Sequence, residues 1–169
     1  MAGMVKKVQT PAALAKLLAE RRARGQRIVF TNGCFDLMHV GHTRYLQAAR
    51  ELGDTLVVGV NSDASVRSLN KAPDRPIVLQ DQRAEIIAAL ECVDYVVLFD
   101  EPDPKALIAI VQPDILVKGG DWPLDRIIGR DIVEARGGSV RTIPLIPDIS
   151  TTTLIERIRA FPKDAKRPT

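Results

Sequence analysis

The sequence has few cysteines and no long apolar run, and both shortages narrow its class. Cys34 and Cys92 are its two cysteines. They form no C-x-x-C pair, so neither a disulfide framework nor a cysteine zinc site is suggested. No signal-like apolar core follows the first seven residues, and no apolar run approaches the roughly 18 residues that span a bilayer. We therefore expect an unprocessed, soluble protein of the reducing cytoplasm.

A strong excess of one charge is also missing. The 24 Lys and Arg residues outnumber the 21 Asp and Glu residues slightly, for a net charge of +3, and the two signs are interspersed. This pattern favours neither nucleic acid nor a membrane as a partner. The hydrophobic fraction of 46% and the charged fraction of 27% are typical of a folded globular protein, and 169 residues suit one domain.

Short β-rich runs alternate with helical patterns along most of the chain. The strand-like runs are 27–31, 56–60, 95–99, 115–117 and 140–143, and the helical patterns are 42–52, 81–90, 104–111, 129–136 and 152–159. Strict alternation implies right-handed crossovers, and continuous apolar strands imply burial on both faces. The sequence predicts an α/β fold, a Rossmann-like doubly wound parallel sheet of about five strands with helices on both faces.

The two ends of the chain lie outside this alternation. Thr10 and Pro11 form a helix-start signal, and apolar residues then recur until Gly25. The last residues are polar and flanked by proline. We expect an N-terminal helix segment over 1–25, a core domain over 26–160 and a flexible tail over 161–169.

Ligands of such sheets bind beyond the carboxyl ends of the strands, where the strand order reverses. The segments that follow the predicted strands are unusually polar and rich in glycine; they are 32–36, 61–63, 100–102, 118–122 and 147–152. The functional residues are expected there.

The first of these segments leads to both histidines of the chain. His39 and His42 are three residues apart, at the predicted start of a helix, with Gly41 between them. Free N–H groups at a helix start attract anions, a glycine lets a phosphate approach the backbone, and imidazoles can donate hydrogen bonds or carry charge. The pattern favours a phosphate site. Two alternatives are a helix cap with a packed polar residue, and a zinc site that adds Cys34 and Asp36.

Two later segments carry further candidates. Lys118 follows a buried strand and precedes Gly119 and Gly120, so its side chain points either into the cleft or to solvent. Ser150 to Thr152 precede the last helix, where hydroxyl and N–H groups either hold phosphates or only cap the helix.

The chain resembles a known superfamily in these motifs. The run from Thr31 to His42 is similar to the H-x-G-H signature of the cytidylyltransferase-like nucleotidyltransferases. Residues 26–160 resemble more closely the D-glycero-β-D-manno-heptose 1-phosphate adenylyltransferases, through the segments 58–66, 81–85, 117–121 and 150–155. The resemblance implies attack of the sugar 1-phosphate on the α-phosphorus of ATP, giving ADP-heptose and pyrophosphate for lipopolysaccharide core synthesis. Mg²⁺ is expected to be carried by the triphosphate, with no metal site in the protein itself.

The resemblance also assigns roles to residues. The catalytic groups are His39, His42 and Lys118. The nucleotide is expected to contact Thr31, Asn32, Gly33, Phe35, Gly41, His42, Lys118, Gly119, Gly120, Asp121, Ser150, Thr151 and Thr152. The acceptor is expected to contact Asp36, Asn61, Lys71, Arg83 and Trp122.

Four of the acceptor residues have competing explanations. Lys71 lies in a loop with Arg75 and is either a clamp on phosphate or a solvated charge. Arg83 is alternatively a surface salt-bridge residue, and Asp36 alternatively holds the turn. Trp122, the one tryptophan, either walls the pocket or packs in the core.

The chain departs from its relatives in two places. Glycerol-phosphate cytidylyltransferases carry an arginine before the last motif, but here 147–149 are Pro, Asp and Ile. This leaves open which cation meets the outer phosphates. Ala72 stands where the heptose enzymes often have glycine, so the shape of that loop is open too.

Other functions are consistent with the same motifs. One alternative is a cytidylyltransferase or another nucleotidylyltransferase with a different phosphorylated acceptor; another is a nucleotide-binding module without catalysis. Bifunctional relatives fuse a sugar kinase ahead of this domain. Because this sequence includes no such kinase, a separate kinase is expected to supply the heptose 1-phosphate. A homodimer or higher homo-oligomer is expected from an exposed apolar face on the N-terminal helix.

Overall fold

The structure, a computed structural model, describes residues 7–69, 74–120 and 122–161. Lys71, Asp121 and tail residues 162–169 lie outside the described residues, as do residues 1–6. The predictions made for these positions therefore have no structural counterpart.

The described strands form one parallel sheet. They are β1 (Val8–Gln9), β2 (Ile28–Gly33), β3 (Thr55–Asn61), β4 (Tyr95–Phe99), β5 (Ile115–Gly119) and β6 (Ser139–Ile143). Their order is β1-β4-β3-β2-β5-β6, and every neighbouring pair is parallel. The α/β prediction is confirmed, although the sheet has six strands rather than five. The additional strand, β1, has two residues, too few for an alternating or apolar pattern to reveal it.

Helices cover both faces of this sheet. They are α1 (Pro11–Ala23), α2 (Val40–Arg50), α3 (Asp63–Ser68), α4 (Gln80–Ala88), α5 (Lys105–Val111), α6 (Arg130–Glu134) and α7 (Thr151–Ala160), with a 3₁₀ turn at Leu124–Arg126. The side chains of Ile28 and Phe30 join one core with α1 and α5, while that of Val29 joins a second core with α2 and α4. Alternate residues of β2 therefore point to opposite faces, as the pleat of a strand requires.

Local signals account for the helix starts. Thr10 caps α1, and its Oγ accepts a hydrogen bond from the N–H of Ala13 at 3.3 Å, as the Thr-Pro signal predicts. The sequence patterns missed α3, which Ser62 caps in the same way. Its six residues span less than two turns, so periodicity is hard to detect.

The N-terminal helix is part of the sheet's core. Leu14 and Leu18 of α1 are fully buried against the strands, beside Leu107 and Ile108 of α5. The apolar face that suggested an oligomer is thus covered within the chain, and the oligomeric state stays a prediction. None of the helices in the described ranges has the length and apolar character needed to cross a membrane.

The strand order reverses next to β2. The chain passes from β2 to β3 and β4 on one side, and β5 and β6 lie on the other side. The switch point therefore lies between β2 and β5, and the carboxyl ends of these strands carry Asn32, Gly33, Lys118 and Gly119. This is the edge at which the polar segments were expected to meet.

Candidate functional site

A tight turn after β2 begins the site. Phe35 has a left-handed backbone, with φ of 48°, which is rare for a residue with a bulky side chain. Its ring lies over Gly33, where a Cβ would lie 3.1 Å from the Cε2 atom of Phe35. The same ring meets His42 edge-on, with centroids 5.3 Å apart. Gly33 and Phe35 thus fold the chain back so that the histidine motif stands above the sheet edge.

The two histidines form a stacked pair at the start of α2. His39 is the N-cap residue, and its ring centroid lies 3.8 Å from that of His42 with 20° between the planes. A Cβ on Gly41 would lie 2.9 Å from the His39 ring, so only glycine leaves room for this stack. The N–H groups of Val40 and Gly41, at the first turn, have no carbonyl partner within the helix. Stacked imidazoles and free N–H groups therefore lie side by side.

Burial disfavours the charged forms of these imidazoles. The Nδ1 atoms of both His39 and His42 are buried without a hydrogen-bond partner in the described part of the chain. Desolvation lowers the pKa of His42 to about 4, helped by His39 and by the positive charge of Arg75, and desolvation also lowers the pKa of His39. In the unliganded protein both shifts disfavour the charged imidazoles, most clearly for His42. An anion nearby would favour their protonation.

The start of α7 faces the same space. Ser150 caps this helix, with its Oγ accepting from the N–H of Thr153 at 3.0 Å. The N–H groups of Thr151 and Thr152 lie in the first turn, where a helix supplies no acceptor. Ser150 therefore does cap the helix, and the cap still leaves two N–H groups available to an anion.

These elements enclose a cavity of about 410 Å³ at the switch point. It is lined by Asn32, Gly33, Cys34, Phe35, His39, Gly41, His42, Tyr45, Arg75, Gly119, Leu145, Ile146, Ile149, Ser150, Thr151 and Thr152. We call it the histidine cavity. It brings the first and last motifs of the sequence together, although more than a hundred residues separate them along the chain. Its wall also includes Tyr45, whose hydroxyl lies 2.7 Å from the Oγ of the fully buried Thr31.

A second cavity, of about 320 Å³, adjoins the first along Asn32, Gly33, Cys34 and Gly119. We call it the lysine cavity, because Lys118 lines it and donates a hydrogen bond from Nζ to the Oδ1 of Asn32. Its wall also includes Asn61, Leu69, Pro102, Pro104, Trp122, Arg126, Ile127 and Ile128. Lys118 thus points into the cleft.

Trp122 and Asn61 form opposite kinds of wall in the lysine cavity. Trp122 is 60% exposed, so the alternative that it packs in the core is wrong. Asn61 is buried, and its Nδ2 donates to the Oγ of Ser65 at 2.9 Å. The tryptophan offers an apolar surface and the asparagine a fixed amide.

Asp36 forms its hydrogen bonds with the loop that precedes α4. Its side chain has no exposed surface and accepts from the Nε of Arg75 at 3.0 Å and from the N–H groups of Ile77 and Val78 at 2.9 Å. The carboxylate thus holds this loop against the turn after β2. Its contact with the acceptor stays a prediction.

Arg83 also forms its hydrogen bonds with groups inside the protein. Its side chain is fully buried, and it donates to the carbonyls of Cys34 and Val78 and to the carboxylate of Asp63. The alternative of a surface salt bridge is wrong, because burial makes these bonds a structural brace. Sequence reasoning missed the brace because no local pattern marks an arginine whose partners are distant along the chain.

The site has no separate metal cluster in the described ranges. No group of three or more His, Cys, Asp or Glu side chains there could hold a metal ion. In the zinc alternative Asp36 would be a ligand, but its oxygens already accept three hydrogen-bond donors from the neighbouring loop.

Comparison with known proteins connects this geometry to a family. Residues 30–157 match the family model described as Cytidylyltransferase-like. Bifunctional protein HldE from Syntrophotalea carbinolica is 55% identical over 152 residues, and HldE from Geobacter sulfurreducens is 53% identical over 152 residues. Both alignments cover 90% of this chain and 31% of the relative. The chain therefore spans about a third of the length of these curated relatives.

Solved structures show the same architecture. The lipopolysaccharide core biosynthesis protein from Thermoplasma volcanium GSS1 is 32% identical, with a TM-score of 0.60, over 72% of this chain and 98% of that one. Pantoate-beta-alanine ligase from Francisella tularensis matches with a TM-score of 0.58 over 90% of this chain and 76% of that one. At 14% identity the second likeness concerns the fold alone.

Proposed function

This chain belongs to the cytidylyltransferase-like family of nucleotidyltransferases, and on that premise we propose that it transfers AMP from ATP to D-glycero-β-D-manno-heptose 1-phosphate. The products are ADP-heptose and pyrophosphate. The proposal for the sugar is supported by the likeness to the HldE proteins and to a lipopolysaccharide core biosynthesis protein.

One observation supports nucleotidyl transfer most directly. The histidine cavity joins the starts of two helices, α2 and α7, whose first-turn N–H groups have no carbonyl partner within their own helix. In the described part of the chain, the Nδ1 atoms of the two imidazoles in the same wall are buried without a hydrogen-bond partner. Buried polar atoms normally have partners, so these missing partners support a ligand with many acceptor oxygens. A triphosphate is such a ligand.

The two cavities suit the two substrates of this reaction. In the proposal the triphosphate occupies the histidine cavity and the sugar phosphate enters the lysine cavity, so that both meet at Asn32 to Cys34. An oxygen of the sugar 1-phosphate attacks the α-phosphorus of ATP, and the bond from that phosphorus to the pyrophosphate oxygen breaks. No covalent enzyme intermediate is needed, because positioning and charge stabilisation dominate this chemistry.

Each predicted catalytic residue has a role that its position permits. His39 and His42 donate hydrogen bonds to the transferred phosphate and to the leaving pyrophosphate. Lys118, held by Asn32, supplies positive charge between the two cavities. Ser150, Thr151 and Thr152 hold the outer phosphates at the start of α7, and Gly119 and Gly120 allow the nucleoside to approach β5 closely.

Magnesium is expected to enter with the triphosphate. Mg²⁺ retains several waters and binds substrate phosphates readily, and Asp36 already bonds to Arg75 and to backbone N–H groups. The chain's own residues therefore bind and orient the phosphates, and a bound Mg²⁺ would supply further positive charge to them.

A panel assay tests the proposed activity. Pyrophosphate release is measured with ATP, CTP, GTP or UTP, each against heptose 1-phosphate or glycerol 3-phosphate. We expect turnover with ATP and heptose 1-phosphate. Turnover with CTP alone would instead assign the chain to the cytidylyltransferases, and tight nucleotide binding without turnover would assign a binding module.

The His42→Ala variant tests the site within the same assay. Loss of one preorganised donor to the transition state is expected to lower kcat by about 10² to 10³. Circular dichroism and thermal unfolding check that the variant is folded. A folded variant with unchanged turnover would contradict the assigned role.

A further inference from the structure

The last motif lacks the arginine that glycerol-phosphate cytidylyltransferases carry, yet a different arginine faces the same cavity. Arg75 lies in the segment between α3 and α4, and it lines the histidine cavity together with His39, His42 and the start of α7. Its side chain is only 12% exposed. A cation from a distant part of the chain is thus placed against the phosphate-binding helix starts.

Arg75 is held rigidly on one edge. Its Nε donates to the Oδ2 of Asp36 at 3.0 Å, and the same carboxylate accepts from the N–H groups of Ile77 and Val78. Both the side chain and the backbone that follows it are therefore fixed by one buried group. A guanidinium held in this way loses little further freedom when it binds a ligand.

The other edge of the guanidinium remains available for a ligand. In the described ranges 7–69, 74–120 and 122–161, the Arg75 side chain donates its hydrogen bond through Nε, and neither Nη atom has a hydrogen-bond partner. Two Nη groups present a planar set of donors that matches phosphate oxygens.

Arg75 places a permanent positive charge at the histidine cavity, where the charged forms of the two imidazoles are disfavoured. Both imidazoles have a lowered pKa, and the positive charge of Arg75 contributes to this shift at His42. Lys118 lines the other cavity and bonds to Asn32. Among the described residues that line the histidine cavity, Arg75 is the one Lys or Arg.

We propose that Arg75, positioned by Asp36, binds the phosphates of the nucleotide in the histidine cavity and supplies a cation there, which residues 147–152 do not. The inference rests on the proposed function, because it concerns the triphosphate of the same site. It also gives Asp36 a definite task, which is to orient Arg75.

Arg75→Gln is the direct test, with Arg159→Gln as its matched control. Arg159 is an exposed residue of α7 that pairs with Asp74 in the same loop but does not line the histidine cavity. Affinity for ATP and for inorganic pyrophosphate is measured by calorimetry, and turnover by pyrophosphate release. Loss of charge-assisted hydrogen bonds in Arg75→Gln is expected to weaken both affinities by about 10- to 100-fold, while Arg159→Gln stays near the wild type.

Two further variants separate binding from folding. Arg75→Lys keeps the charge but not the planar donors, so we expect an intermediate loss of affinity. Asp36→Asn removes the carboxylate that positions Arg75. The affinity of this variant for ATP should therefore fall although Arg75 itself is still present. Thermal unfolding of each variant shows whether a loss of affinity follows from a loss of fold.

The outcomes distinguish this inference from the proposed function. If the wild type binds ATP and Arg75→Gln and Arg75→Lys bind it equally well, the inference is overturned while the proposed function stands. If the wild type binds no nucleoside triphosphate, the proposed function fails and the inference fails with it. Equal losses in Arg75→Gln and Arg159→Gln would assign the effect to the loop and overturn a specific role for Arg75.

Discussion

At the scale of single residues, the candidate site contains a stacked histidine pair whose charged forms are disfavoured by burial. The sequence alone suggested that imidazoles near a helix start could carry charge. Their stacking at 3.8 Å and their burial make a second positive charge unfavourable. The Nδ1 atoms of both rings lack a hydrogen-bond partner among the described residues, and we propose that a bound phosphate supplies one.

This arrangement predicts a pH dependence of stability. The pKa of His42 is lowered from 6.5 to about 4, so below pH 6.5 the unfolded chain takes up a proton that the folded chain does not. The free energy of unfolding should fall as the pH drops from about 6.5 toward 4, by up to on the order of 3 kcal/mol from this residue.

Urea unfolding at a series of pH values checks this prediction, with His42→Gln as the comparison. Carboxylates titrate in both proteins, so the difference between the two curves isolates His42. Parallel curves between pH 6.5 and 4 would mean that burial does not shift this imidazole.

At the scale of elements, the start of α7 is capped and also lines the histidine cavity. Ser150 caps α7 through the N–H of Thr153, and Thr151 and Thr152 line the cavity. The cap and the proposed anion site would use different atoms of the same turn. Substitutions can therefore change one without the other.

We expect Ser150→Asp to keep the fold and lose the ligand. A carboxylate still accepts from the N–H of Thr153 and favours the positive end of the helix, but its charge repels a triphosphate. Ser150→Ala should instead lower the free energy of unfolding by about 1 kcal/mol through loss of the cap. Urea unfolding and ATP titration measure the two effects.

Thr10→Asp is the control for this pair. Thr10 caps α1 in the same manner and lies outside both cavities, so its substitution should leave ATP affinity unchanged. Wild-type affinity in Ser150→Asp would show that the start of α7 does not hold phosphate.

At the scale of the whole molecule, the N-terminal helix completes one of the two cores. Leu14 and Leu18 are fully buried with residues of five strands, β2 to β6, and of α5. This packing joins α1 to the sheet whose edge forms the candidate site. The division into segments 1–25, 26–160 and 161–169 stays a prediction, as does the homo-oligomer, which analytical ultracentrifugation would check.

Leu18→Ala should therefore destabilise the whole fold. A cavity in a well-packed core costs about 2 to 5 kcal/mol, whereas Leu17→Ala, at a partly buried position of the same helix, should cost less. Both variants should bind ATP normally under native conditions, because α1 lines neither cavity. Equal, small losses of stability in urea would contradict the packing.

The sequence by itself determined the features that local patterns encode. Strand and helix alternation predicted the parallel sheet, the Thr-Pro signal predicted the cap of α1, and the histidine motif predicted where the site begins. These signals lie within a few residues of one another along the chain, so period, cap and turn chemistry reveal them.

Only the tertiary structure decided which distant side chains meet. Arg75 meets Asp36 across 39 residues and Lys118 meets Asn32 across 86 residues. Burial made Arg83 a brace and lowered the pKa of His42, whereas Trp122 stands exposed on the wall of the lysine cavity. Contacts of this kind depend on strand order and side-chain direction, which no local pattern contains, and desolvation depends on everything packed around a group.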